Sequence, residues 1–288
     1  MTTAAPAALD HVAVIGGGFM GSGIAEAVAR AGIAVTITDI SDAALEHAHT
    51  SISRSLHRAV AGGKLDDAEA QATLARISLS TSFETTRGAG LAIEAAPENL
   101  DVKLDIFRRL DALLAPEALI ASNTSSIPIT ELASATARAD RVLGLHFSSP
   151  AAVMKLVEVV IALDTSAATL AAADAFAERI GKIAIHTKDR SGFVVNMLLV
   201  PYLMAAVRMY EEEFATREDI DAGMKLGCGH PMGPLTLCDF IGLDVLYAVC
   251  DSLYEEFKQP EYAPPPLLKR MVASGRLGRK AGRGFYDY

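Results

Sequence analysis

A glycine-rich turn near the start constrains this chain more than any other feature. Gly16-Gly17-Gly18-Phe19-Met20-Gly21 satisfies G-x-G-x-x-G, follows the apolar run His11 to Ile15 and opens a helical pattern reaching about Ala31. A second β-rich run, Ala34 to Thr38, ends at Asp39, where the fingerprint expects an acidic residue roughly 20 positions on. Gly16 makes the tight turn, Gly18 lets backbone approach a pyrophosphate, and Gly21 allows close helix-strand packing, with Phe19 and Met20 in the same turn. Free N–H groups at the helix start attract the anion.

Asp39 can take both ribose hydroxyls, whereas a 2′-phosphate there would meet a like charge at up to about 4 kcal/mol. No Arg follows in Ile40-Ser41-Asp42-Ala43, so NAD is expected in preference to NADP.

At 288 residues the chain has length for roughly two domains. With 51% hydrophobic and 21% charged residues it is expected to fold throughout. A formal charge of −9 argues against a nucleic-acid partner, which needs clustered Lys and Arg. The longest apolar stretch, Val194 to Val207, contains Asn196 and Pro201 and falls short of the roughly 20 residues of a membrane span. Residues 1–9 carry no side-chain cation and lead into the glycine motif rather than a cleavage site, so a cytoplasmic location is expected. Cys228, Cys238 and Cys250 show no CxxC or metal-ligand spacing and read as buried thiols, with no metal site.

Short β-rich runs alternate with helical patterns as far as about His186, the signature of a parallel sheet. After Ala34–Thr38 they recur at Gly90–Glu94, Ala118–Ser122, Val142–Phe147, Leu156–Ile161 and Lys182–His186. Asp42 to Arg76 reads as two helices broken at Gly62-Gly63, a hairpin inserted in the first domain. Past Asp189-Arg190-Ser191-Gly192 apolar residues take helical spacing with no convincing strand. Gly233-Pro234, Gly242 and Pro264-Pro265-Pro266 punctuate the helices, and Ser274 to Gly284 reads as a loop. The expected fold is α/β: a Rossmann-type doubly wound sheet with an inserted helical hairpin (residues 1–190), followed by an all-α C-terminal domain (residues 191–288).

His146 ends a strand-like run, and strand carboxyl ends face the ligand crevice in such sheets. Imidazole is the side chain suited to taking a hydroxyl proton near neutral pH, as oxidation of a secondary alcohol requires. Glu158 lies in the apolar run Leu156-Val157-Glu158-Val159-Val160, where an unpaired carboxylate would be costly, and His146 is its natural partner.

Four further segments complete a pattern: Asn123-Thr124-Ser125-Ser126, Gly144-Leu145-His146-Phe147, Met154-Lys155-Leu156-Val157-Glu158 and Gly192-Phe193-Val194-Val195-Asn196. With His230-Pro231-Met232-Gly233-Pro234 and the terminal Gly278 to Tyr286, they resemble the short-chain L-3-hydroxyacyl-CoA dehydrogenases over nearly the whole chain. The resemblance implies reversible NAD-dependent oxidation of a short (S)-3-hydroxyacyl-CoA, such as 3-hydroxybutyryl-CoA, in fatty acid metabolism. It implies that His146 is the base, Glu158 its orienter, and Ser125 and Asn196 the groups holding the substrate oxygens in an interdomain cleft. Taken on their own, Ser125 also suits helix capping, and Asn196 backbone satisfaction inside a helix.

Glu98, Lys103 and Asn123 match family positions that contact the nicotinamide half of the cofactor; without the family, Glu98 and Lys103 are a solvated helix start. Ser55 matches a substrate contact, and Arg54 and Arg58, at i, i+4, are the candidate counter-charge for CoA phosphates. A basic residue common at the far end of that helix is replaced near Gly62, leaving Lys64 as its substitute. Homodimerisation through the helical domain is likewise implied.

Ser148-Ser149 replaces the family's Phe-Asn, and Met197 a common Arg, both beside catalytic positions. One alternative keeps the chemistry but tethers the acyl group to a carrier protein. The β-hydroxyacid and 6-phosphogluconate dehydrogenases need a Lys where Val200 stands, and a non-catalytic NAD-binding relative would not require Ser125, His146, Glu158 and Asn196 together.

Overall fold

The computed structural model describes residues 9–288, so the N-terminal reading of residues 1–8 lies outside the described residues. The chain divides into two compact units, Met1–Asp189 and Arg190–Tyr288.

In the first unit, strands β1 (His11–Ile15), β2 (Ala34–Thr38), β3 (Ile77–Ser80), β4 (Leu91–Glu94), β5 (Leu119–Ser122), β6 (Val142–Phe147), β7 (Leu156–Ile161) and β8 (Ile183–Lys188) form one sheet. Their order is β3-β2-β1-β4-β5-β6-β7-β8. Near-continuous apolar runs such as Val12 to Ile15 and Leu91 to Ile93 are buried, as strands covered on both faces require. Helices α1 (Phe19–Arg30), α2 (Asp42–Ala61), α3 (Asp67–Ala75), α4 (Leu100–Leu113), α5 (Ile129–Ala133) and α6 (Ala167–Arg179) complete the unit. The hairpin begins at Ser41, whose hydroxyl caps α2, and turns to α3 through an Asp66/Glu69 capping box.

Two features differ from the expectation. Strand β3 was not anticipated: it is a short, half-exposed edge strand of alternating Ser, and it returns the hairpin to the sheet beside β2. The sheet is also not wholly parallel, because β7 runs antiparallel to β6. Residues 148–155 cannot form the crossover of about a dozen residues or more that a parallel return needs.

The second unit contains helices α7 (Val195–Glu211), α8 (Arg217–Cys228), α9 (Pro234–Ile241), α10 (Leu243–Phe257) and α11 (Pro266–Ala273) around a core that includes Leu203, Met204, Leu235, Leu246 and Leu253. Gly233 precedes α9, Gly242 separates α9 from α10, and Pro265 precedes α11. The terminal segment is pinned by a buried carboxylate, Asp239, which accepts from the amides of Phe285 and Tyr286 at 2.9 Å each. Cys238 and Cys250 are buried free thiols, but Cys228, in the last turn of α8, is exposed, a correction to the expectation of three buried thiols.

Candidate functional site

Strand β1 delivers the chain into the glycine turn, and the turn has the shape a pyrophosphate needs. Gly16 sits at φ +107°, and a Cβ there would lie 2.6 Å from the Ala95 carbonyl oxygen. A Cβ on Gly21 would lie 1.9 Å from the Gly16 oxygen, so helix α1 can start this close only without a side chain. A Cβ on Gly18, by contrast, would meet nothing within 4 Å, leaving open backbone at the helix start for the anion. Asp39 accepts from the amides of Gly17 at 2.7 Å and Ser41 at 3.0 Å, which aims its carboxylate at the turn. Ile40, 89% exposed, offers an apolar face beside it that motif reading alone did not single out. Met20 is partly buried against the core, whereas Phe19 is exposed.

The antiparallel register of β6 and β7 sets His146 directly opposite Glu158. His146 Nδ1 lies 2.7 Å from Glu158 Oε2, and Nε2 lies 3.0 Å from Ser125 Oγ. Glu158 is fully buried and the imidazole side chain 12% exposed. Ser125 comes from the turn after β5, so three strand ends meet at this line of contacts. Asn123 Oδ1 accepts from the Phe147 amide at 2.9 Å and braces the end of β6 beside His146. Asn196 belongs to the second unit, half-buried in the first turn of α7, its amide bonded to the Gly192 oxygen at 3.0 Å.

Lys103 is not part of a solvated helix start. Its side chain is 1% exposed, with Nζ 2.6 Å from Glu94 Oε1, 3.3 Å from Glu98 Oε2 and 3.2 Å from the Ala96 oxygen. Its surface is almost wholly covered, whereas the Glu98 side chain is 42% exposed. Glu98 accepts from Thr124 Oγ1 at 2.5 Å and Ser126 Oγ at 2.9 Å. Burial works against its charge, but Lys103 and these hydroxyls outweigh it and hold the carboxyl below the usual range.

The helical hairpin spreads the residues expected to act together over two depressions that share Arg58. Ser51, Ser55, Arg58 and Lys64 line a cavity of about 440 Å³ with Phe19 and the segment from Pro150 to Val153. Arg54 lines a second depression with His49, Ser53, His57 and Arg58, so Arg58 borders both, while one residue's helical rotation carries Arg54 away from Ser55. At the floor of the cavity Glu26 is 2% exposed. Burial pushes its carboxyl up, against a hydrogen bond from Ser55 and the charges of Arg30, Arg58 and Lys182. Lys182 donates to the Ala151 and Met154 oxygens at 2.6 Å each, tying down the β6–β7 connection. Burial, then Arg30, lowers its ammonium pKa.

Residues 11–190 match the family described as 3-hydroxyacyl-CoA dehydrogenase, NAD binding domain, and residues 192–288 match the C-terminal domain of the same family. The chain belongs to the 3-hydroxyacyl-CoA dehydrogenase family. It is 49% identical over 283 residues to a 3-hydroxybutyryl-CoA dehydrogenase of Mycobacterium tuberculosis, covering 98% of this chain and 99% of that protein. Among solved structures it resembles M. tuberculosis FadB2 (TM-score 0.96, 48% identity, 98% of this chain and 100% of that one). It also resembles (S)-3-hydroxybutyryl-CoA dehydrogenase PaaH1 of Ralstonia eutropha (TM-score 0.92, 47% identity, 98% and 99%). This family member is therefore a dehydrogenase with NAD as its cofactor, and the glycine turn and Asp39 fit that cofactor. Among the described residues no helix is long and apolar enough to cross a membrane, and no cluster of His, Cys, Asp or Glu could hold a metal.

Proposed function

We propose that the protein interconverts a short-chain (S)-3-hydroxyacyl-CoA, 3-hydroxybutyryl-CoA in type, and the 3-oxoacyl-CoA, with His146 as general base. The observation carrying this reading is the continuous line Ser125 Oγ, His146 Nε2, His146 Nδ1, Glu158. Bound NAD⁺ supplies the hydride acceptor. Glu158 accepts from Nδ1–H, which leaves the Nε2 lone pair for the substrate hydroxyl proton, and its buried charge stabilises the imidazolium that results. Ser125 donates to the same substrate oxygen from beside Nε2 and favours the alkoxide-like charge as the proton leaves. To Asn196 we assign a second substrate hydrogen bond.

The CoA reading is supported by the hairpin cavity, where Arg58, Lys64, Ser51 and Ser55 offer cations and hydroxyls to an anionic carrier. A second copy is the proposed partner of the helical unit, which exposes Leu198, Phe214, Leu226 and Phe240.

Purified protein is expected to oxidise NADH with acetoacetyl-CoA and not with free acetoacetate. NADH should be preferred over NADPH by about 10²–10³-fold, since the like charge at Asp39 costs up to about 4 kcal/mol. Asp39→Asn should narrow that preference, because the neutral amide removes the charge that the 2′-phosphate meets. Turnover only with acetoacetyl tethered to a carrier protein would replace the CoA reading, and NADH binding without turnover of either thioester would overturn the enzymatic one.

A further inference from the structure

The turn that carries Ser125 is enclosed by a closed ring of polar contacts. Glu94, the last residue of β4 and fully buried, accepts from Ser122 Oγ at 2.5 Å. Ser122 Oγ in turn accepts from the Thr124 amide at 3.1 Å. Thr124 Oγ1 donates to Glu98 at 2.5 Å, Glu98 pairs with Lys103 at 3.3 Å, and Lys103 returns to Glu94 at 2.6 Å. Three further hydrogen bonds hold the turn beside Ser125 and His146. Ser125 and Ser126 donate their amides to Glu98 at 3.2 Å, and Asn123 receives the Phe147 amide.

We infer that Glu94 and Ser122 are positioning residues for the proposed reaction: they fix the turn from Asn123 to Ser126 so that Ser125 Oγ stays beside His146 Nε2, where both reach the same substrate oxygen. The inference rests on the reading of Ser125 and His146 as catalytic. The chemistry of the ring makes it directional. Paired with the Lys103 ammonium, the Glu94 carboxylate only accepts, so the Ser122 hydroxyl donates to it and keeps its lone pairs toward the Thr124 amide. Neither residue has surface on which to touch a ligand, as both are fully buried. Their effect therefore passes through the turn. Burial in low dielectric strengthens each link and makes a missing one costly, which suits a brace that must hold Ser125 to tenths of an ångström.

Glu94→Gln replaces an acceptor by an amide that can present a donor to Ser122 and leaves Glu98 as the one carboxylate paired with Lys103, so it can fail to fold. Ser122→Ala is the milder variant, removing one hydroxyl from the ring. It is expected to lower kcat about tenfold, with the NADH dissociation constant and the KM for acetoacetyl-CoA within about twofold of the parent. In a Ser125→Ala background the same change should cost nothing further, because the group it positions is gone. Ser122→Thr, which keeps the hydroxyl, should restore most of the loss.

Three results overturn the inference: Ser122→Ala with parental kcat, a loss confined to NADH binding, or losses that multiply in the double variant. They differ from failure of the underlying reading, which would appear as parental kcat in Ser125→Ala or His146→Ala and would take the positioning role with it.

Discussion

His146→Ala is expected to lower kcat by about 10²–10⁴-fold, the range for losing a general base, while NADH binds within about twofold of the parent. The two readouts separate because the imidazole contacts Ser125 and Glu158, whereas the glycine turn and Asp39 are carried by β1, α1 and β2. Rapid-mixing single-turnover measurements with acetoacetyl-CoA, beside fluorescence titration with NADH, check both at once. Loss of turnover with intact NADH binding assigns the proton transfer to His146. Near-parental turnover would remove the base from the proposed mechanism, and loss of NADH binding would mean that the substitution had disturbed the sheet. Removing the imidazole also leaves Glu158 buried among Val157, Val159 and Val160, so thermal unfolding of the variant is a required companion measurement.

Lys103→Met is expected to destabilise the first unit by about 3–5 kcal/mol, the cost of removing one partner from a buried ion pair. For a unit of this size that corresponds to a fall in Tm of about 6–20 °C. Methionine keeps much of the volume, so the loss is electrostatic rather than a cavity. What remains is Glu94 with no surface exposure, its Oε1 reduced to the Ala96 amide at 2.6 Å and its Oε2 to Ser122. Calorimetry on the parent and the variant checks this. A shift below about 2 °C would show that the Glu94–Lys103 pair is not desolvated as the geometry describes.

Two of the buried carboxylates of the first unit, Glu158 and Glu94, were unequally legible. Glu158 stands inside an apolar run, which demands a partner, and His146 was available in the preceding strand. Glu94 ends the comparable run Leu91-Ala92-Ile93-Glu94, and the same reasoning would have led to Lys103. Lys103 was obscured because Asn99, Asp101, Lys103 and Asp105 make the start of α4 polar and charged, while the helix turns Lys103 to its buried side, toward the end of β4. Strand β3 escaped notice for another reason. Ile-Ser-Leu-Ser is short and half-exposed, with no buried run to mark it, and only its pairing with β2 makes it a strand.

The hairpin marks the limit of spacing arguments. Arg54 and Arg58 do share a helical stripe, yet only Arg58 reaches the cavity lined by Ser51 and Ser55. Which residues face a concavity depends on what packs against the helix, here α1 and the segment from Pro150 to Val153.

By itself the sequence determined the glycine turn, the acidic residue that follows it, the alternation of strands and helices, and the residue types of the reacting line. Those are local properties: a Cβ-free turn, an apolar period and a side chain's acid-base range are set within a few residues. The tertiary structure alone decided the antiparallel entry of β7, which puts Glu158 across from His146, and the ring from Glu94 through Ser122, Thr124, Glu98 and Lys103. These contacts join residues up to 28 positions apart along the chain, and their geometry is fixed by strand register and burial, which exist only once the sheet has formed.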